Sequence, residues 1–206
     1  MLFHRFVLGN LFTNCYIAAD EETKNAVLFD APDNAGKILD YAEKNGLSIK
    51  KIFLTHGHFD HMLALGELKK KTNAKIYIHK DDAPYLEDYK LNLIGEEHKD
   101  YFFPKADVLL SDGDTIKMDN IEIKVIHTPG HTVGSVCYKL GDVLVSGDTL
   151  FAGSIGRTDF PLGSFDDEIS SIKEKLMVLD DETKVYPGHG FSTTIGKQRK
   201  DNQYLI

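Results

Sequence analysis

The histidine-rich segment FLTHGHFDH, residues 53–61, constrains the fold and chemistry of this chain more than any other stretch. An apolar run ends here, and His56, His58, Asp60 and His61 follow within six positions. Side chains at i and i+2 of an extended segment point the same way, so the first two histidines can reach one ion together. Asp60 and His61 come after a bend and can face a second ion. Taken singly, each has an ordinary role as a surface histidine or a helix N-cap.

Three later strand-like runs also end in a ligand-type residue beside glycine or proline. VIHTPGHT contributes His131, VLVSGDT contributes Asp148, and VYPGHG contributes His189. Rigid scaffolds present functional side chains at such strand ends. Four ends acquiring imidazoles and carboxylates by chance is implausible, so together they predict a metal site. The remaining histidines are expected to have ordinary roles, in charged or exposed settings or without a partner at ligand spacing: His4, His79, His98 and His127.

Length and composition predict one globular domain over residues 1–206. The chain is 42% hydrophobic and 27% charged, without an internal repeat or a Pro-, Gly- or Ser-rich linker. Its net charge of −8 argues against a nucleic-acid partner, because a duplex-binding protein needs a basic face. The segment MLFHRFVLGN indicates neither a signal peptide nor a membrane span. Cys15 and Cys137 cannot form a disulfide framework, and we expect both to be reduced in a cytoplasmic protein.

Strand and helix patterns alternate along the chain. The predicted elements are a hairpin of 14–18 and 25–30, a helix at 33–46, a strand at 50–56, a helix at 62–73, a strand at 74–79, a short helix and long loop over 84–104, strands between 106 and 148, a helix at 166–179, a strand at 184–190 and a helical tail. This order indicates an α/β protein in which two stacked β-sheets carry helices on their outer faces. The prediction is a four-layer αββα sandwich.

The segment THGHFDH resembles the T-H-x-H-x-D-H signature of the metallo-β-lactamase superfamily, and the later strand ends follow in that family's order. The resemblance covers nearly the whole chain and implies the metallo-β-lactamase fold. It also implies two divalent metal ions. Zinc is the first choice, and iron and manganese are alternatives because His and carboxylate ligands suit all three. The implied ligands are His56, His58 and His131 for the first ion, Asp60, His61 and His189 for the second, and Asp148 as the bridge.

Within the superfamily, HTPGHTVGS and SGDTLFAGSIGRTDFP resemble the short form of the hydroxyacylglutathione hydrolase (glyoxalase II) branch. Zinc β-lactamases typically carry Cys at the position of Asp148 and often lack a histidine at that of His61, and RNA-processing members carry an additional domain. The branch implies a hydrolase acting on a small-molecule thioester such as a 2-hydroxyacyl-glutathione. Full-length glyoxalase II proteins continue into a helical region that contacts glutathione, whereas this chain ends at Ile206. The hydrolytic centre therefore carries over better than the thiol specificity.

The same segments are also similar to persulfide dioxygenases, which use one iron held by the counterparts of His56, His131 and Asp148. This gives the alternative prediction, a mononuclear iron persulfide dioxygenase with the same residues around the metal. Metal content separates the two readings, because the hydrolase would hold about two ions and the dioxygenase one iron. The sequence predicts neither the acyl group, nor the thiol carrier, nor the oligomeric state.

For the hydrolase, the hypothesis is that two cations share a water and lower its pKa, giving a hydroxide that attacks the acyl carbonyl. Asp148 and Asp60 are the predicted catalytic carboxylates, the first bridging the ions and the second orienting the nucleophile. A thioester suits such a site, because a thiolate leaves with little need of a general acid. Arg157 and Asp159 in GRTDF either pair with each other or hold substrate. Aromatic residues of 84–104 and Phe12 either wall the pocket or pack in the core.

Overall fold

The computed structural model describes residues 1–98 and 103–206. Its strands are β1 (Leu2–Leu8), β2 (Thr13–Ala19), β3 (Asn25–Phe29), β4 (Ser48–Phe53), β5 (Lys75–His79), β6 (Val108–Leu110), β7 (Thr115–Met118), β8 (Ile121–His127), β9 (Val136–Leu140), β10 (Val143–Gly147), β11 (Leu150–Phe151), β12 (Ser154–Ile155), β13 (Lys184–Pro187) and β14 (Thr193–Thr194). Its helices are α1 (Ala35–Lys44), α2 (Leu65–Thr72), α3 (Tyr89–Asn92), α4 (Phe165–Ser171) and α5 (Ile195–Asp201). None of the helices described is long and apolar enough to cross a membrane.

Two six-stranded mixed sheets form the centre of the fold. The first has the order β1-β2-β3-β4-β5-β6, antiparallel as far as β3 and parallel from β3 to β6. The second has the order β14-β13-β10-β9-β8-β7, and within it β13 and β10 run parallel. The predicted hairpin is correct, because β2 and β3 pair antiparallel.

Three apolar layers hold the sheets and helices together. Alternate residues of β2 face opposite sides, so Ile17 packs with α1 and α2 while Tyr16 packs against the second sheet. Between the sheets lie aromatic and β-branched residues of both, including Phe53 and Tyr138. On the far face, Leu144 of the second sheet packs with residues of the segment that follows α4 and of α5. Helix, sheet, sheet and helix follow in that order, which confirms the four-layer αββα architecture.

Local chemistry explains where several helices begin and end. Asn34 is the N-cap of α1, and its side chain accepts a hydrogen bond from the Lys37 amide. Gly46 follows the helix with φ +65°, a conformation that favours glycine. Ser164 caps α4 in the same way, and the first turn of α4 carries three acidic residues, where the helix dipole favours negative charge.

The structure differs from the sequence prediction at three places. β1, which was not predicted, pairs along its whole length with β2 and is an edge strand whose residues are mostly part-exposed, so it lacks a clear apolar period. The short hairpin of β11 and β12 was also not predicted, since two-residue strands leave no pattern. The predicted helix 62–73 begins only at Leu65, because Phe59–His61 form a separate 3-10 turn.

The strands that position the site end at one edge of both sheets. β4 ends before the 54–58 loop, and the amide of Val136 in β9 donates to the carbonyl of Thr55 in that loop, which joins the two sheets there. In the second sheet, Gly147 pairs with Pro187, so the residues after β10 and β13 lie side by side. Cys15 and Cys137 are free and buried, and the Cys15 thiol donates to the Asp30 carbonyl oxygen at 3.2 Å.

Candidate metal centre

The loops at this edge bring all seven predicted ligand residues together. They form three overlapping groups, and within each group the donor atoms lie within 4.8 Å of one another. The groups are His56, His58 and His131; Asp60, His61 and His189; and His56, His61 and Asp148. Asp148 faces both of the first two groups. Its Oδ1 lies 3.4 Å from His61 Nε2, and its Oδ2 lies 3.7 Å from His131 Nε2 and 3.4 Å from His189 Nε2.

The donor atoms of this cluster fit divalent cations. Buried polar atoms are nearly always hydrogen-bonded, yet Nε2 of His56, Nε2 of His61 and Oδ1 of Asp148 have no hydrogen-bond partner. Space is also kept open, because a Cβ on Gly188 would lie 2.1 Å from Asp148 Oδ1. Imidazole nitrogens and carboxylate oxygens are the ligand types that zinc, iron and manganese take.

In three of the rings, the nitrogen that faces away from the cluster is fixed by a hydrogen bond to a neighbouring group. Nδ1 of His61 lies 2.9 Å from Oδ2 of Asp30, and Nδ1 of His131 lies 2.7 Å from the carbonyl oxygen of Arg157. The carbonyl of Leu11 lies 3.2 Å from Nδ1 of His189. A ring that donates from Nδ1 presents the lone pair of Nε2 to an ion, so these contacts set the tautomer that coordination needs.

Asp30, which sequence reasoning missed, is one of three buried carboxylates behind the cluster. Besides His61, it accepts from the Thr55 amide at 2.8 Å and from the Thr55 hydroxyl. Asp30 directly follows the apolar strand β3, which is the strand-end signal that led to Asp148. The same criterion applied to the whole chain could therefore have found it.

Asp82 and Glu168 are the other two buried carboxylates, and neither leaves a sequence signal. Asp82 accepts from the Gly57 amide at 2.9 Å and from the Thr132 hydroxyl at 2.7 Å, so it ties the 56–58 loop to the loop after His131. Burial raises its pKa to about 6. Glu168, in the first turn of α4, accepts from the His131 amide at 2.9 Å. Burial, together with the nearby Asp148, raises the pKa of Glu168 to about 9.

The imidazoles of the first group lose their protons readily. Burial lowers the pKa of His58 to about 3, and the neighbouring histidines act in the same direction. Burial likewise lowers the pKa of His56 well below its ordinary value, and it lowers that of His131. Neutral imidazole is the form that binds a metal, so this group is ready for a cation at neutral pH.

The second group carries the opposite charge pattern. Burial would lower the pKa of His189, but hydrogen bonds to Asp148 and Asp60 outweigh it and raise the value to about 9. Burial would raise the pKa of Asp60, but His61 and His189 bring it to about 2. The three surrounding carboxylates likewise raise the pKa of His61 well above its ordinary value, against the effect of burial. A cation bound here has to replace these protons.

A cavity of about 370 Å³ opens onto the cluster. Besides ligand residues it is lined by Leu11, Phe59, Leu93, Phe151, Ser154, Ile155, Arg157 and Phe160. The predicted pair is present, with Nε and Nη2 of Arg157 donating to Asp159 at 2.9 and 2.8 Å.

Of the two roles predicted for the aromatic residues of 84–104, Tyr85 and Phe103 have the one in the core. Both are buried and do not line the cavity, and Tyr101 and Phe102 lie outside the described residues. Among the described residues, the aromatic side chains that line the cavity are, besides ligand histidines, Phe59, Phe151 and Phe160.

The four histidines left out of the metal site have other contacts. His4 stacks on Tyr41, with the ring centroids 4.3 Å apart. His79 is buried, contrary to an exposed setting, and stacks on His127 at 4.0 Å with 13° between the planes. Donor atoms of this pair and Asp81 also lie within 4.8 Å of one another, but nearly parallel rings cannot direct their in-plane lone pairs at one ion. His98 is exposed.

The sequence profile of the Metallo-beta-lactamase superfamily matches residues 8–189. The chain belongs to this superfamily. Protein ML0493 of Mycobacterium leprae is 41% identical over 215 residues, covering 100% of this chain and 99% of the relative. Hydroxyacylglutathione hydrolase GloC of Haemophilus influenzae is 34% identical over 200 residues, covering 93% of this chain and 92% of GloC.

Solved structures of the superfamily share the fold. The BLEG-1 B3 metallo-beta-lactamase superposes with a TM-score of 0.93 at 34% identity, with both chains fully covered. ETHE1 from Myxococcus xanthus gives 0.85 at 30% identity, covering 98% of this chain and 84% of ETHE1. TTHA1623, solved in a di-iron-bound form, gives 0.83 at 33% identity, covering 98% of this chain and all of TTHA1623.

Proposed function

We propose that this protein is a metal-dependent hydrolase that cleaves a thioester, with a glyoxalase II-like activity on substrates such as a 2-hydroxyacyl-glutathione. The observation that carries the proposal is the position of Asp148 between two groups of ligand-type residues, each with a buried imidazole nitrogen, Nε2 of His56 and Nε2 of His61, that has no hydrogen-bond partner. The similarity to hydroxyacylglutathione hydrolase GloC along nearly all of both chains supports the choice of substrate class.

In this proposal the seven residues hold two divalent cations. His56, His58 and His131 hold the first, Asp60, His61 and His189 hold the second, and Asp148 contacts both. When bound, such a pair of cations lowers the pKa of a shared water toward neutrality and polarises an acyl oxygen. Zinc is the metal we propose, and the di-iron-bound form of TTHA1623 supports iron as the alternative.

The protein's own residues position the reacting groups. The Thr13 hydroxyl donates to Oδ2 of Asp60 at 2.8 Å, which fixes the carboxylate beside His189 Nε2, 3.3 Å away. Asp60 can therefore orient the nucleophile as well as bind a cation. Among the described residues lining the cavity, no side chain is placed as an obvious acid for the leaving group. A thiolate needs little protonation to leave, so this arrangement suits a thioester better than an amide.

The test is metal analysis of protein purified without chelator, together with hydrolysis of S-lactoylglutathione in air and under argon. We expect about two equivalents of metal and a hydrolysis rate that oxygen does not change. One tightly bound iron, with no thioester cleavage, would contradict the proposal. A β-lactam substrate belongs in the same assay because of the similarity to BLEG-1, and we expect it to be cleaved more slowly than the thioester.

The second candidate is a persulfide dioxygenase with a single iron. The similarity to ETHE1 favours it, and His56, His131 and Asp148 lie together as that activity requires. The completeness of the second group, with Asp60, His61 and His189 also gathered around Asp148, supports the hydrolase instead. Oxygen uptake on addition of glutathione persulfide to the iron-loaded protein would decide for the dioxygenase.

A further inference from the structure

We propose that the mouth of the metal cavity binds an uncharged, apolar limb of the substrate. The inference rests on the proposed thioester hydrolysis and narrows its substrate class, since the limb can belong to the acyl or the thiol half of the thioester. It predicts that lengthening an alkyl chain improves a substrate more than adding carboxylates does.

The wall of the cavity is the first reason. Outside the ligand residues, six of its lining side chains are apolar: Leu11, Phe59, Leu93, Phe151, Ile155 and Phe160. A volume of about 370 Å³ is large enough for a small ligand. Burying apolar ligand surface against walls of this kind is favourable because that surface leaves water. Reaction at the ligand cluster therefore places the rest of a substrate against hydrocarbon.

The lack of free positive charge for a peptide thiol such as glutathione is the second reason. Arg157 is the one cationic side chain, other than ligand histidines, among the described residues lining the cavity. Its guanidinium is bound by both carboxylate oxygens of Asp159 and lies 4.3 Å from the centre of the Phe160 ring. Three lysines that could otherwise meet an anionic thiol carrier do not line the cavity: Lys139, Lys197 and Lys200. A thiol carrying two carboxylates thus finds no free positive side chain among the described lining residues.

Backbone conformation around the mouth is the third reason. Of the non-glycine residues described with positive φ, three are large and apolar: Phe12 at 56°, Leu93 at 65° and Leu162 at 64°. Such residues seldom adopt this region, and backbone strain of this kind is concentrated at ligand-binding sites. Leu93 lines the cavity, Phe12 follows the lining residue Leu11 in the chain, and Leu162 lies two positions after the lining residue Phe160.

Four apolar residues that line the cavity, or lie within two positions of a residue that does, are exposed to solvent. The exposed fractions are 53% for Leu11, 72% for Phe12, 58% for Leu162 and 80% for Phe191. We call these four residues and Leu93 the apolar collar. The collar lies next to the metal cluster at Leu11. Its carbonyl oxygen is 3.2 Å from Nδ1 of His189, and the nearby Thr13 forms an isolated antiparallel β-bridge with that histidine. A limb that covers Leu11 therefore lies next to a residue of the metal cluster.

The test measures binding and turnover on the metal-loaded protein in two arms. The acyl arm uses acetyl, butanoyl and hexanoyl thioesters of glutathione, with acetate, butanoate and hexanoate as calorimetric ligands. The thiol arm uses acetyl thioesters of propanethiol, pentanethiol and glutathione, with the three free thiols as ligands. In the arm that holds the limb, we expect affinity and kcat/KM to rise roughly threefold to fourfold per added methylene.

Leu11→Ala is the informative variant, and Leu109→Ala is its matched control. Both leucines are more than half exposed, at 53% and 57%, but Leu109 lies in β6 and does not line the cavity. We expect Leu11→Ala to reduce the gain per methylene with unchanged metal content, and Leu109→Ala to leave it unchanged. Metal content shows that the histidine next to the collar still binds.

Each outcome decides something different. Dependence on chain length without thioester cleavage would support the apolar limb and overturn the proposed function. Cleavage with no such dependence in either arm would overturn the apolar limb alone. A dimer that Leu11→Ala dissociates would also overturn it, because the collar would then bind a second copy of the chain.

Discussion

The two halves of the metal centre differ in burial and in charge. His56, His58 and His131 are between 1% and 4% exposed, and each has a lowered pKa. In the second half, the side chains of His189 and Asp60 are 31% and 13% exposed, whereas that of His61 is fully buried. The first group is therefore preorganised for a cation by the interior of the fold. The second group holds protons that a cation must displace.

The strongest test of this division removes the residue that both halves share. Asp148→Ala leaves the histidines of both groups without their common carboxylate. We expect metal content to fall below one equivalent and kcat/KM to fall by more than about 100-fold, beyond the usual effect of outer-sphere partners. Asp142→Ala is the control, because Asp142 pairs with Lys184 on the surface. Full activity in Asp148→Ala would remove the basis of the proposal.

Single-ligand variants separate the halves. His189→Ala should lose one metal equivalent and keep the other, since the buried group remains complete. His56→Ala should lose more, because His56 contributes to the first group and also lies with His61 and Asp148. Metal analysis after dialysis gives both values. Equal losses in the two variants would show that the cations bind as one unit.

Lowering the pH should release the cation of the second group before that of the first. The pKa of His189 is about 9 without a cation, so metal affinity of the second group should fall as pH falls below that value, by about tenfold per unit for each displaced proton. Burial lowers the pKa of all three histidines of the first group, that of His58 to about 3, so protons compete less with a cation there. Metal content after dialysis at pH 8, 7, 6 and 5 should show the second equivalent leaving first. Simultaneous loss would contradict the assignment.

The smallest expected effect is at Glu168, behind the first group. Glu168→Gln keeps an acceptor for the His131 amide, whereas Glu168→Ala leaves that buried donor unsatisfied. We expect metal affinity within about twofold of the unmodified protein for Gln and about tenfold weaker for Ala. Competition with a chromophoric chelator measures both. An equal loss in the two variants would show that the carboxylic acid itself, rather than its acceptor, is needed.

Much of the site could be predicted because its signal is local. His56, His58, Asp60 and His61 follow one strand, and His131, Asp148 and His189 each come after another apolar strand, so their positions are visible in the pattern. Asp30 carries the same signal and was overlooked. Asp82 and Glu168 could not be found, because each acts through hydrogen bonds to residues 25 to 52 positions away.

The sequence by itself determined the elements, through the alternation of apolar strands and helices, and the chemistry, through the residues placed at strand ends. Only the tertiary structure decided which ligand-type residues lie together, which carboxylates support them and which side chains wall the cavity. Those relations depend on long-range register, such as Gly147 against Pro187, and on how the sheets stack. Neither is encoded in any short segment, because a strand's pattern specifies which face is buried but not which partner covers it.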